Sequence, residues 1–452
     1  MACNDTGYGE AGRTGRFGII LFAGVLLVLV CCSETHGPEQ SLRPIEDPQA
    51  VQGEITVWAW NIAAKGLRGV LPDFNEQYPN VNVDINMTGG QMLQRLLTSL
   101  AAGVGAPDVA QLETRYLERY TITGRLMDLT PVILPFKEDF VDSKWPPCSH
   151  EGRIYAVPWD LGPALVFYRR DVLENAGIDP TELTTWDKFI EAGKRLVQNT
   201  NGAVKMVHFY PPEPLEQLTL LTRQLGGGFF DKEGRITVHH PRVCRATAVL
   251  RRMVEAGITY EVRPNYHEWL ASFNEGTVAC HLSGVWLGGT LRDIAKDTAG
   301  LWGVMRLPAF ELEDGALSGT ASNLGGSTLA ITNQCKNPQA AWAFIKTTMC
   351  TKQAQMTQYR TFDLFPALRT VYDDPFFDES VEFFAGQRMR RLAAQVAQEV
   401  PTFHFTSDWR EVLYFVNMGL LDVFEGRKSV ERGLNDLADM LHRKLSRPLA
   451  PV

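Results

Sequence analysis

Apolar and polar positions along the chain change period in a regular order. The run Ile55-Thr56-Val57-Trp58-Ala59-Trp60 is rich in β-branched and aromatic residues and stops at Asn61, which predicts a strand. Over 67–78 the apolar residues fall at helical spacing, and Pro79-Asn80 closes that element. Val81-Asn82-Val83-Asp84-Ile85 alternates strictly and predicts a second strand; a helix over 91–102 and a strand over 108–112 follow. This βαβαβ rhythm implies a parallel sheet with helices on both faces.

The rhythm recurs after residue 160. Thr184, Thr185 and Asp187 offer an N-cap for a helix whose apolar face is Phe189, Ile190, Gly193, Leu196 and Val197. Asn337-Pro338 opens another helix by cap and proline at the first helical position, with Ala341, Phe344, Ile345 and Thr348 on one side. Gly226-Gly227-Gly228 follows an apolar helix and reads as its stop. No repeat of 20 to 50 residues is visible, so solenoids and propellers are set aside. Two doubly wound α/β lobes are expected.

The N-terminus differs in kind. Arg13 and Arg16 precede an apolar run over 17–30 that ends in Cys31-Cys32-Ser33. At about fourteen residues it is short for a spanning helix and reads as an export signal. Its end resembles a loose bacterial lipobox, in which Cys31 or Cys32 would carry lipid. An uncleaved anchor helix is the other reading; both tether the chain with its body outside the cytoplasm. Residues 33–53, with Pro38, Pro44 and Pro48, lack apolar periodicity and read as a flexible tether.

With 452 residues the chain exceeds what one hydrophobic core supports. Hydrophobic residues at 45% and charged residues at 21% describe a water-soluble globule. A net charge of -8 with scattered Lys and Arg leaves no footprint for nucleic acid. Cys148, Cys244, Cys280, Cys335 and Cys350 form no CxxC pair, and the helix expected between Cys335 and Cys350 holds them too far apart for a disulfide. The 9 His residues build no metal motif, and neither a nucleophile elbow nor a phosphate loop occurs, so no cofactor, metal or catalytic residue is expected. Distant paired carboxylates for glycoside cleavage are not visible to this kind of reading.

Several segments, taken in order, resemble one family. They are Ile55 to Asn61 (ITVWAWN), Phe74-Asn75-Glu76-Gln77-Tyr78-Pro79, and Arg153-Ile154-Tyr155-Ala156-Val157-Pro158 followed by Phe167-Tyr168-Arg169-Arg170-Asp171. Thr185-Trp186-Asp187, Phe273-Asn274-Glu275-Gly276 before Gly284-Val285-Trp286, Gly325-Gly326-Ser327, Asn337-Pro338-Gln339-Ala340-Ala341-Trp342 and Phe365-Pro366-Ala367 complete the set. Their order and spacing are similar to those of the extracellular solute-binding proteins of ABC sugar importers, of the maltose-binding type with three interlobe crossings. The resemblance spans nearly the whole chain after the export signal. It implies discontinuous lobes, 54–160 with 322–358 and 161–321 with 359–452, on a three-crossing hinge. It also implies a monomer on the periplasmic side of the membrane or at the cell surface, with an ABC permease and its ATPase as partners.

Ligands of open α/β sheets bind beyond the carboxyl ends of strands, which marks Trp60, Asn61, Glu113 and Trp286. Sugars suit such a cleft because their C–H faces stack on aromatic rings while their hydroxyls need paired polar groups. Trp60, Trp159 and Trp286 are the stacking candidates; Asn61, Glu113 and Asp160 are the hydroxyl partners. Backbone amides of Gly325, Gly326 and Ser327 would add donors. The resemblance carries a cleft role to Trp159 and Asp160 and, more specifically, to Trp286. Tyr210 and Arg360 are further candidates, as a cleft aromatic or a loop anchor and as a ligand contact or an ion-pair partner. Trp58, Trp145, Trp302 and Trp342 are expected in the core. Maltose-binding members carry a carboxylate where this chain has Leu161-Gly162-Pro163 and an aromatic where it has Ala110-Gln111-Leu112, which argues against a maltodextrin. The remaining readings are a binder of another small solute (polyol, glycerophosphodiester or peptide) and a surface interaction lipoprotein that has lost its ligand.

Overall fold

The computed structural model describes residues 42–89 and 91–452. The expected export signal, Cys31, Cys32 and the tether up to residue 41 lie outside the described residues. Among the described residues no helix is long and apolar enough to cross a membrane.

Among the described residues, twelve strands are arranged as two five-stranded sheets and a small two-stranded ribbon. In chain order they are β1 (Gly53–Trp60), β2 (Val81–Thr88), β3 (Val109–Glu113), β4 (Ser149–His150), β5 (Arg153–Ile154), β6 (Val157–Pro158), β7 (Ala164–Arg169), β8 (Lys205–His208), β9 (Thr259–Tyr260), β10 (Val278–Gly284), β11 (Trp302–Met305) and β12 (Ser327–Ile331). The first sheet runs β2-β1-β3-β12-β6 and the second β11-β7-β10-β8-β9. Central strands are apolar throughout, as burial on both faces demands: Val109 to Leu112 of β3 and all of β10 are buried. Edge strand β2 alternates instead, with Val81 and Ile85 buried.

The expected βαβαβ unit is present: β1 pairs in parallel with both β2 and β3, and helices Asn61–Gln77 and Met92–Ala102 connect them. The sheets are nonetheless mixed. β12 enters the first sheet antiparallel to both β3 and β6, and β7 lies antiparallel to β10 and β11 in the second. Those strands arrive from the other lobe rather than through a local crossover helix, so the parallel rule does not govern them.

Helix Trp186–Asn199 is capped by Thr185, whose hydroxyl accepts from the Lys188 N–H at 3.3 Å. Helix Pro338–Cys350 begins at the expected proline, but Asn337 does not cap it: its side-chain N–H₂ donates to the Glu54 carbonyl at 2.9 Å and ties the helix to β1. The four tryptophans assigned to the core are buried. Cys148, Cys244, Cys280, Cys335 and Cys350 are free thiols.

Two segment boundaries differ from expectation. The folded body begins before Glu54: Leu42 is 4% exposed, and Gln339 brackets Arg43 by accepting from its N–H and donating to its carbonyl. A passage after residue 358 would cut helix Lys352–Phe362, an uninterrupted element capped by the Thr351 hydroxyl. The chain instead bridges Phe140 through Leu368 and reaches the second lobe where Phe383 accepts from the Gly300 N–H.

Two segments, 159–163 and 322–326, pass side by side between the sheets, and 364–367 of the first lobe lies along the first of them. Leu161 N–H donates to the Phe365 carbonyl at 3.1 Å, Ala367 N–H to the Trp159 carbonyl at 2.9 Å, and Leu324 N–H to the Gly162 carbonyl at 2.8 Å. The stretch 159–163 is thus flanked by 364–367 on one side and 322–326 on the other. The two bonded connections, together with the later passage between 369 and 383, form a hinge that permits rotation but resists shear.

Candidate functional site

A cleft of about 680 Å³ opens where the crossings meet the strand ends. From the first sheet it receives Trp60 at the end of β1, Glu113 at the end of β3 and Ser327 at the start of β12. From the second it receives Val285 and Trp286, which follow β10 and lead into helix Leu287–Ile294. Asp160, Leu161 and Leu324 to Gly326 line it from the crossings, and Phe362 to Phe365 close one side.

A chain of hydrogen bonds holds the first wall in place. Trp60 N–H donates to Gln111 Oε1 at 3.1 Å, and Gln111 Nε2 donates to Ser327 Oγ at 3.0 Å. Ser327 in turn donates to Asp160 Oδ1, through its N–H at 2.8 Å and through its hydroxyl. Behind this chain, Lys144 Nζ donates to the Asp160 carbonyl at 2.9 Å and to Thr114 Oγ1 at 2.7 Å. Gln111 is 1% exposed, so Gln111→Leu would strand the Trp60 N–H and remove the donor to Ser327 Oγ. We expect it to cost about 1–3 kcal/mol of stability, readable by urea denaturation, and to loosen Trp60.

On the opposite wall, Trp286 is 43% exposed and its Nε1–H donates to the Leu324 carbonyl at 3.2 Å. Its indole is anchored at one edge and open on a face, the state in which an aromatic platform offers its area at low entropic cost. Gly325 and Gly326 have φ of +89° and +106°, and a Cβ on Gly326 would stand 2.7 Å from the Asp160 carbonyl oxygen. The turn therefore requires glycine there.

The cleft is acidic. Glu113, Asp160, Glu216, Asp293 and Asp363 line it, with Arg115 as the one lining cation. Arg115 is shared by Glu113 at 2.7 Å and Glu216 at 3.4 Å, while Arg292 reaches Asp363. Burial raises the Glu113 carboxyl above its ordinary pKa, with Arg115 opposing. A carboxyl raised in the folded state keeps its proton to higher pH than in the unfolded chain. Its contribution to stability is therefore largest at low pH and declines as pH rises through the raised value. Glu113→Gln should accordingly gain in melting temperature over the parent at neutral pH and lose that advantage toward about pH 4, a comparison made by paired thermal scans.

Of the residues marked from sequence, Trp60, Glu113, Asp160, Trp286, Gly325, Gly326 and Ser327 line the cleft. Trp159 does not: it is 1% exposed, and its Nε1–H donates to Gln358 Oε1 at 2.8 Å, because its side chain points from the crossing into the helical layer. Asn61 begins helix Asn61–Gln77 directly, with a φ of +31°, and Ile62 lines the cleft instead. Tyr210 follows β8, which lies farther from the crossings than β10, and it does not line the cleft. Arg360 pairs with Asp374 at 2.6 Å and stacks on Phe376.

Sequence reasoning missed Gln111, a polar residue inside an otherwise apolar strand. It also missed Gly289, Thr290 and Asp293, which follow Trp286 at helical spacing and share its face of the helix, a periodicity that was available. Among the described residues no cluster of three metal-ligating side chains occurs.

Two mixed α/β lobes, a three-stranded hinge and a cleft lined from both sides define a clamshell binding protein. A model of the bacterial extracellular solute-binding proteins matches residues 70–385, and the chain belongs to that family. An arabinooligosaccharide-binding protein of Bacillus subtilis is 24% identical over 430 residues, 92% of this chain and 94% of that protein. A lactose-binding protein of Rhizobium radiobacter is 25% identical over 369 residues, 79% of this chain and 85% of that protein. Among solved structures, the sugar-binding protein MalE from Xanthomonas citri shares the fold with a TM-score of 0.75 at 20% identity, covering 87% of this chain and 98% of that one. So does the ABC transporter associated binding protein from B. animalis subsp. lactis in complex with β-1,6-galactobiose, at 0.71 and 23% identity, over 88% of this chain and 100% of that one.

Proposed function

We propose that this protein captures a neutral oligosaccharide in the interlobe cleft, outside the cytoplasmic membrane, and delivers it to an ABC import permease driven by its ATPase. The observation that carries this reading is the pairing of one tryptophan from each sheet, Trp60 and Trp286, across a cleft rich in hydrogen-bond acceptors. Sugar C–H faces would stack on the two indoles, while hydroxyls donate to Glu113, Asp160 and Asp293 and the amides of Gly325 and Gly326 contribute donors. A cleft of about 680 Å³ suits more than one sugar ring. The oligosaccharide-binding relatives support the same class, and Leu161 to Pro163 and Gln111 still weigh against a maltodextrin.

Five carboxylates against one arginine also weigh against an anionic solute such as a glycerophosphodiester. Uronic-acid oligosaccharides are expected to bind far more weakly than their neutral counterparts, a difference that titration calorimetry reads directly. Neutral sugars that bind no better than acidic ones would contradict the assignment.

Closure is a population shift in this scheme: ligand touching both walls favours the closed state by its differential affinity, and the permease distinguishes closed from open. The lobes are 42–160 with 322–369 and 161–321 with 383–452, and the protein works as a monomer without catalysis. It is held to the membrane by lipid on Cys31 or Cys32. Mass spectrometry of the mature N-terminus tests the anchor: diacylglyceryl cysteine supports it, and an unmodified terminus removes it.

A further inference from the structure

Besides the crossings, three ion pairs join the two lobes among the described residues. Arg115 and Arg119 of the first lobe meet Glu216 and Glu411 of the second, each at 3.4 Å. Arg292 of the second lobe meets Asp363 of the first. Next to Glu411, Arg410 Nη1–H donates to Gln94 Oε1 of the first lobe at 3.2 Å. Arg115, Glu216 and Asp363 line the cleft, whereas Arg119, Arg292 and Glu411 do not.

The placement follows from local structure. Arg115 and Arg119 stand four residues apart on consecutive helical turns, Thr114–Tyr116 and Leu117–Thr121, and so present one face to the second lobe. Glu216 and Glu411 sit in the first turns of helices Leu215–Gln224 and Trp409–Gly419, where the helix dipole favours a negative charge. Arg115 also has a partner on its own lobe, Glu113 at 2.7 Å, so parting from Glu216 leaves no lone guanidinium. That contact can therefore break at modest cost.

All six side chains are partly exposed, Arg115 the least at 25%. Water and salt reach the pairs, and each shifts an equilibrium by about fivefold at most. Rotation about the hinge moves the lobes as bodies, however, so opening parts all three together and their effects combine. The balance between open and closed forms of a two-state protein is of that size.

We propose that these pairs form an electrostatic latch: the protein's own charges draw the lobes closed at low ionic strength, and salt releases them. Near physiological ionic strength, where charges are screened over about 8 Å, the latch holds part of the population and ligand completes the closure. One consequence rests on the sugar-capture reading. A sugar that carries no charge should nonetheless bind less tightly as salt rises, because apparent affinity falls with the fraction of protein that is closed.

Small-angle X-ray scattering of the full chain without ligand should show the radius of gyration increasing from about 0.01 M to about 1 M sodium chloride, as the screening length falls from about 30 Å to about 3 Å. Arg292→Gln combined with Glu411→Gln, both outside the cleft, should show a larger radius already at low salt and a smaller further response. Calorimetry at low salt should find that this variant binds a neutral oligosaccharide about tenfold more weakly than the parent. Glu411→Arg should open the lobes, and Arg119→Glu added to it should close them again, a rescue that damage to local packing does not give. A radius that salt leaves unchanged, a full salt response in the double glutamine variant, or a charge swap that behaves like the single reversal would each overturn the latch. If no neutral oligosaccharide binds the parent, the capture reading fails, and the radius of the ligand-free protein still decides the latch by itself.

Discussion

Trp286→Ala is expected to weaken oligosaccharide binding by roughly thirtyfold, the equivalent of ~2 kcal/mol, while leaving the melting temperature of the ligand-free protein nearly unchanged. The two readouts separate because the indole is 43% exposed before ligand arrives. Its loss therefore removes little from the core and much from the complex. In the free state the variant forfeits contact along Gly162 and Gly284 and the Nε1–H bond to the Leu324 carbonyl, which solvent can replace at that exposed edge. A conservative Trp286→Phe should recover most of the affinity, because the platform and not the donor does the binding. Fluorescence titration gives the affinity and scanning calorimetry the stability. An alanine variant that binds as well as the parent would remove Trp286 from the site.

Gly162→Ala is expected to have the opposite signature, a loss of stability of about 3 kcal/mol or failure to fold. Gly162 lies on the first crossing, bonded through its N–H to Asn323 Oδ1 at 2.9 Å and through its carbonyl to the Leu324 N–H at 2.8 Å. A Cβ there would overlap the Leu324 carbonyl oxygen and stand 3.2 Å from Trp286 Cδ1. Backbone opposes it on one side and the anchored indole on the other, so neither neighbour can yield cheaply. The crossings would have to part. Urea denaturation with the midpoint and slope both recorded checks this, and a variant of parental stability would show that the hinge backbone is softer than its bonding suggests.

The architecture was legible wherever burial imposed a period. β1, the helix after it, β2 and β3 follow directly from the runs at 55–60, 67–78, 81–85 and 108–112, because each element had apolar residues to hide, on one face in β2 and on both in β3. The antiparallel entry of β12 between β3 and β6 was not legible, since pairing between segments over a hundred residues apart leaves no mark in local periodicity.

The site divided along the same line. Trp60, Glu113 and Trp286 were found because strand ends point at the cleft by rule. Trp159 was misplaced because a tryptophan beside a crossing can face either the ligand or the helices, and only the packing against Gln358 decides. Gln111 was passed over because its amide works sideways, linking Trp60 to Ser327 and through it to Asp160. Arg360 and Tyr210 were drawn toward the site by sequence position alone, yet Arg360 has an ion pair of its own and Tyr210 lies beyond a more distant strand.

The most direct measurement of the central claim is small-angle X-ray scattering of the full chain during a titration with neutral oligosaccharides, run beside calorimetry on the same samples. Capture between two lobes predicts a heat of binding and a smaller radius of gyration that saturate together for at least one such sugar. No heat and an unchanged radius across neutral oligosaccharides of one to several rings would contradict it.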